Sequence, residues 1–173
     1  MSELAAFREW AEYNIRAREG YLAVFEKLSK EELARDRGAS YPTLLQIQSH
    51  ILGAQWWWLK NASLPPGPAE PTDLGDPPSL EEIRRFEREV DAAVREFFRH
   101  LSEEELDRKY PAPRPAGYSQ EIEITVRDTL LHLLEEEIQH RGELNALLWQ
   151  LDVEPPVLDW IDWKYIQRPP SGG

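Results

Sequence analysis

Residues 125–151, TVRDTLLHLLEEEIQHRGELNALLWQL, read as one long helix. Thr125 followed by Asp128 is a capping-box pattern, which gives the first free backbone amides side-chain acceptors. Leu133, Leu144 and Leu147 recur at helical spacing, and Pro155-Pro156 closes the segment. His132, Glu136 and His140 follow one another at i, i+4, so they form a line along the helix beside the leucines. Such a helix has one face to bury and one row of side chains with chemistry to offer.

Three further segments carry the same periodicity. The first spans about Ser2 to Leu28, with Ser2 as cap and a stripe of Trp10, Asn14, Ala17, Tyr21, Val24 and Leu28. The second starts at Pro42, a residue favoured in a first helical turn, and runs to about Asn61 with Leu44, Ile47, Ile51, Ala54 and Trp58 inward. The third starts at Ser79, where Ser79 and Glu82 repeat the capping box, and continues through Ile83, Phe86, Val90, Val94 and Phe97 to about Leu101, with a short helical turn after Ser102. Between the second and third, Pro65, Pro66, Gly67, Pro68, Pro71, Gly75, Pro77 and Pro78 forbid regular helix and make a long crossover loop. Pro111, Pro113, Pro115 and Gly117 make a second loop. No strand-like alternation of comparable length is present. The pattern predicts an all-α protein, a four-helix bundle with a long crossover connection, as one domain over residues 1–166 with a flexible tail at 167–173. Trp160 and Trp163 give the segment from Val157 to Tyr165 enough apolar surface to dock back on the bundle.

Charge and composition narrow the partners. The 173 residues carry a net charge of −12, with Lys and Arg scattered beside acids, which opposes binding to nucleic acid or to anionic membranes. The absence of cysteine excludes disulfides, thiolate metal sites and a cysteine nucleophile, and fits a reducing, cytoplasmic location. Glu3, Arg8 and Glu9 in the first turns predict no signal peptide. Residues 38–59 hold no Asp, Glu, Lys or Arg, but Gln46, Gln48, Ser49, His50 and Gln55 are too polar for a hydrocarbon core. A helix buried in a water-soluble bundle accounts for them.

The chemistry must come from few residues. His50 falls between Ile47 and Ala54 and so points inward, where an unpaired imidazole would cost about 1–3 kcal/mol. Glu136 and His140 lie about 40° apart on the helical wheel and one turn apart along the axis, close enough to share an ion. Glu137 is an alternative carboxylate at i, i+3 from His140; a second Glu-x-x-His helix, which a di-metal site requires, is absent. Two imidazoles and one carboxylate suit Zn or Ni foremost, Fe or Mn as alternatives, with positions left open for water or substrate. The plainer reading is hydrogen-bonded histidines beside a solvated run, Glu135-Glu136-Glu137. Arg141, in the apolar arc, is either an anchor for a carboxylate or an ion-pair partner of Glu137. Asn14 suits helix packing, His132 an outer partner or the surface, and His100 the negative end of its helix. Of Trp56, Trp57 and Trp58, at most two can face any one site.

Trp10-x2-Tyr13-Asn14, Leu44-Leu45-x4-His50-Ile51-x4-Trp56 and, most specifically, His140-Arg141-Gly142-Glu143-Leu144 resemble the DinB/YfiT superfamily, over nearly the whole chain. The resemblance implies a four-helix bundle with one divalent metal ion on a histidine of the second helix and two ligands of the fourth: here His50, Glu136 and His140. Most members have histidine at the middle position. Glu136 departs from that, as in the His, Glu, His set of mycothiol-dependent maleylpyruvate isomerases, and weakens the donor set. By the same resemblance the expected function is a metal-dependent enzyme on a small-molecule substrate, a thiol S-transferase, isomerase or hydrolase. A low-molecular-weight thiol would be its cofactor, Arg141 its catalytic anion anchor, and a homodimer its assembly. The alternative is a non-catalytic metal-binding or stress-associated dimer.

Overall fold

Each long helix begins where a short polar side chain takes over a backbone acceptor's role. Ser2 accepts from the Ala5 amide ahead of α1 (Glu3–Phe25), and Ser29 from the Glu32 amide ahead of the short α2 (Lys30–Ala34). Thr43 accepts from the Gln46 amide ahead of α3 (Leu44–Ala62). Full capping boxes at Ser79/Glu82 and Thr125/Asp128 open α4 (Leu80–His100) and α5 (Val126–Trp149). The last helix is α6 (Trp160–Ile166). The computed structural model describes residues 1–63, 67–113, 119–156 and 159–166. The expected flexible tail at 167–173 and the prolines at 65, 66 and 115 lie outside the described residues.

Residue pairs between helices fix the topology. Arg8 reaches the Phe98 and Leu101 carbonyls, and Arg95 pairs with Glu12, so α1 and α4 run antiparallel. His50 meets Glu136 and Trp58 meets His132, so α3 and α5 are antiparallel. Arg127 pairs with Glu3 and Tyr21 with Asn145, so α1 and α5 are parallel neighbours. It follows that α3 and α4, which pack on each other, are also parallel. The proline-rich connection must therefore carry the chain back along the bundle, as a crossover does.

One hydrophobic cluster draws on all four long helices, including Phe25, Ile47, Leu52, Ile83, Val90 and Leu144. Of the expected stripes, Trp10, Ala54, Trp58 and Phe97 are only half-buried, because each flanks its inner face. Three details depart from the expectations. Pro42 precedes α3 rather than entering it, since Thr43 is the cap and the Pro42 carbonyl accepts from the Arg37 amide. A two-stranded ribbon, β1 (Lys109–Pro111) against β2 (Glu123–Thr125), leads into α5 and is too short to show alternation in the sequence. α2 is a single turn and a half that periodicity does not reveal. Trp160 of α6 stacks on Trp10 at 4.4 Å, and Pro156 packs so closely on Gly20 that a Cβ there would lie 2.9 Å from it. Among the described residues no helix is long and apolar enough to cross a membrane.

Candidate metal centre

The antiparallel contact of α3 with α5 brings His50 opposite Glu136 and His140. His50 Nε2 lies 3.1 Å, and His140 Nε2 3.4 Å, from the same oxygen, Glu136 Oε2. The two imidazole rings are 4.6 Å apart and nearly perpendicular. One donor atom from each residue falls within 4.8 Å of the others. Ligands in a tetrahedron with bonds of about 2.1 Å are separated by about 3.4 Å, so these two spacings match a common centre.

The far nitrogens of both rings are held from behind. Tyr41 Oη lies 2.6 Å from His50 Nδ1, and its ring stacks on that imidazole at 4.3 Å. Glu143 Oε2 lies 3.2 Å from His140 Nδ1, and this carboxylate is itself fixed by the Ser40 amide and hydroxyl at 2.7 and 2.5 Å. Burial would raise the Glu143 carboxyl, but the two Ser40 hydrogen bonds, together with the contact to His140, outweigh it and hold the group below its ordinary range. A carboxylate can only accept, so His140 donates from Nδ1, and as a neutral ring it would present its lone pair at Nε2. That lone pair then faces Glu136 Oε2, another acceptor, at 3.4 Å. A positive centre between the two, a proton or a divalent cation, would satisfy both, and a cation would take the His50 nitrogen as well. Burial lowers the His50 pKa, partly offset by its hydrogen bond with Glu136, which favours the neutral, ligating imidazole. The residues present fit the ion.

The other expected residues distribute as follows. His132 Nε2 is 3.8 Å from Glu136 Oε1 and its ring meets Trp58 edge-on, so it borders the site beyond hydrogen-bond length. With Glu135 and Glu136 it forms a second, more exposed grouping that shares Glu136. Glu137 faces away from the histidines: fully buried, it pairs with Arg18 and accepts from Gln55 at 3.3 Å. Arg18, 1% exposed, also bonds Asp91 at 2.6 Å. Burial opposes its charge, but Glu137 and Asp91 together hold it protonated well above the usual range. Beside them burial, reinforced by the Asp91 charge, pushes the Glu87 carboxyl up to about 8. Asn14 is buried and lines a small pocket with Gln55, a packing position. His100 is exposed at the end of α4 on Glu96. Trp57 points to solvent, and Trp56 donates to the Ala69 carbonyl.

Arg141 turns toward α1. Its Nε donates to the Glu137 carbonyl at 3.2 Å and lies 3.9 Å from that residue's carboxylate, and its guanidinium sits 4.9 Å from the centre of the Tyr13 ring. None of its contacts is with His50, Glu136 or His140. Sequence reasoning does not single out Ser40, Tyr41 or Glu143 for a role at the site. Glu143, at i+3 from His140, carries a helical signal; Ser40 and Tyr41 lie before α3 and carry none.

A family model described as the DinB family matches residues 1–170. Among curated proteins nothing matches the chain. Among solved structures, the chain is similar to a DinB-like protein of Bacillus subtilis, YjoA, at 19% identity and a TM-score of 0.59, covering 86% of this chain and 96% of that one. At that identity the likeness speaks for the fold.

Proposed function

This chain belongs to the DinB family, a metal-binding family, and we propose that it holds one divalent ion on His50, Glu136 and His140 and acts as a metal-dependent enzyme on a small molecule. Zn and Ni are the ions of choice for two imidazoles and a carboxylate, with Fe or Mn as alternatives. The observation that carries the reading is the convergence of His50 Nε2 and His140 Nε2 on Glu136 Oε2, at 3.1 and 3.4 Å, with a Glu143 carboxylate accepting from His140 Nδ1. When bound, such an ion supplies a Lewis acid that lowers the pKa of a group at its open position.

The chain's own residues set the conditions for that chemistry. Tyr41 and Glu143 orient the two rings and raise their basicity, as outer partners of ligating histidines do. Glu136 brings one negative charge to the centre, so a divalent ion there keeps a net positive charge and attracts an anionic substrate or thiolate. Thiol S-transfer, isomerisation or hydrolysis in a reducing, cytoplasmic setting, by a homodimer, is the function class proposed.

The test begins with elemental analysis of protein purified without a metal-affinity tag. A stoichiometric divalent ion that is lost in His140→Ala supports the site. Metal at less than about a tenth of chains, with no rise in Tm on adding Zn or Ni at about a hundredfold over a micromolar Kd, overturns it. Turnover of a thiol with an electrophilic substrate by wild type and not by His140→Ala supports the enzyme. Metal binding with equal background rates for both leaves a non-catalytic metal-binding bundle.

A further inference from the structure

On the opposite flank of α5 from His140, α1 and α5 leave an open groove of about 510 Å³. That volume is in the range of small-molecule sites. None of His50, Glu136 or His140 lines it. Pro156 packs on Gly20 at the groove, and Trp160 stacks on Trp10, ten residues earlier on α1.

Its polar equipment is small and aimed. Arg141 is 8% exposed, yet of its five N–H groups only the one on Nε has a hydrogen-bond acceptor among the described residues. A guanidinium this buried, with both Nη groups unbonded among those residues and bordering a groove, is a receptor for a planar two-oxygen anion. A second donor lies alongside. The Tyr21 hydroxyl, 2.6 Å from Asn145 Oδ1, turns the amide oxygen of Asn145 inward; on the same groove wall, its Nδ2 has no acceptor among the described residues.

The rest of the lining limits what the anion can be attached to. Trp10, Tyr13 and Ile138 give flat or apolar surface, and above Gly142 a side chain would meet nothing within 4 Å. On the groove Glu19 is paired with Arg16 at 2.8 Å, and Glu137, beside Arg141, is paired with Arg18, so Arg141 supplies charge for one anionic group. We propose that the α1–α5 groove is a binding site for a small monocarboxylate on a flat apolar or aromatic body, its carboxylate held by Arg141 and Asn145. This site is independent of the metal reading: it shares no residue with the His50, Glu136, His140 group.

The test uses the full chain treated with a chelator, so that carboxylate binding to a metal ion does not contribute. Benzoate is the probe and benzamide its uncharged counterpart, both followed by saturation-transfer NMR and calorimetry. Wild type binds benzoate saturably and benzamide at least about tenfold more weakly; loss of charge-assisted hydrogen bonds in Arg141→Gln weakens benzoate about ten- to a hundredfold. Gly142→Leu sets a side chain on the groove from a position where a Cβ meets nothing within 4 Å, so it abolishes binding while Tm holds or rises, and it decides the matter if Arg141→Gln fails to fold. Absence of saturable benzoate binding up to about 10 mM overturns the proposal, a concentration corresponding to negligible affinity. So does benzoate binding that survives Gly142→Leu, or that is lost in His140→Ala while Gly142→Leu retains it.

Discussion

Replacing Glu87 by Gln tests the buried charge network at its least paired member. Glu87 is 5% exposed on α4, its Oε1 has no hydrogen-bond partner among the described residues, and its carboxyl is raised from 4.5 to about 8 by burial and by Asp91. A folded pKa above the unfolded one means that the folded protein holds a proton which the unfolded chain releases. Stability from this group is therefore full below about pH 4.5 and is lost as pH rises through about 8. Glutamine mimics the protonated acid and has no proton to lose. With those two pKa values, the advantage of Glu87→Gln over wild type grows by about 3 kcal/mol between pH 5.5 and pH 9. In a domain of 173 residues that is roughly 6–12 °C in Tm. The assay is urea unfolding of both proteins at the two pH values. An advantage that stays flat within about 0.5 kcal/mol, or shrinks with pH, would refute the placement of a neutral carboxyl at this position.

Three other outcomes are expected. Glu143→Ala frees the His140 ring and weakens Zn or Ni binding about ten- to a hundredfold in a chelator competition; unchanged affinity would mean that the carboxylate does not orient the ligand. Arg18→Met leaves Glu137 and Asp91 buried without their cation and costs about 3–5 kcal/mol in denaturant unfolding; a loss below about 1 kcal/mol would contradict the pairing. Thr125→Ala removes the α5 capping box and costs about 1 kcal/mol with no change in metal affinity.

How far the site was legible depends on which interactions are local. His140 and Glu136 are one helical turn apart, and any helix through them aligns the pair. Whether Glu136 or Glu137 faces the histidines could not be decided by spacing, because both lie within a turn of His140. Arg18 decides it. Paired with Glu137 and Asp91 from across the bundle, it draws the first of these inward, and Glu136 is left on the flank toward α3. Arg141 shows the same limit. The helical wheel places it in the apolar arc; the structure sets its Nε 3.9 Å from the Glu137 carboxylate and its side chain on the border of the α1–α5 groove.

The sequence by itself determined the four long helices, their caps and the crossover, because capping, periodicity and proline placement act within a few residues of each position. Only the tertiary structure decided that His50, 86 positions from Glu136, meets it at 3.1 Å, that Tyr41 and Glu143 back the two imidazoles, and that Arg141 lies on the other side of α5 against Tyr13. Those outcomes depend on how helices distant in the chain rotate against one another. That rotation is set by packing and by buried charge pairs, which no local pattern records.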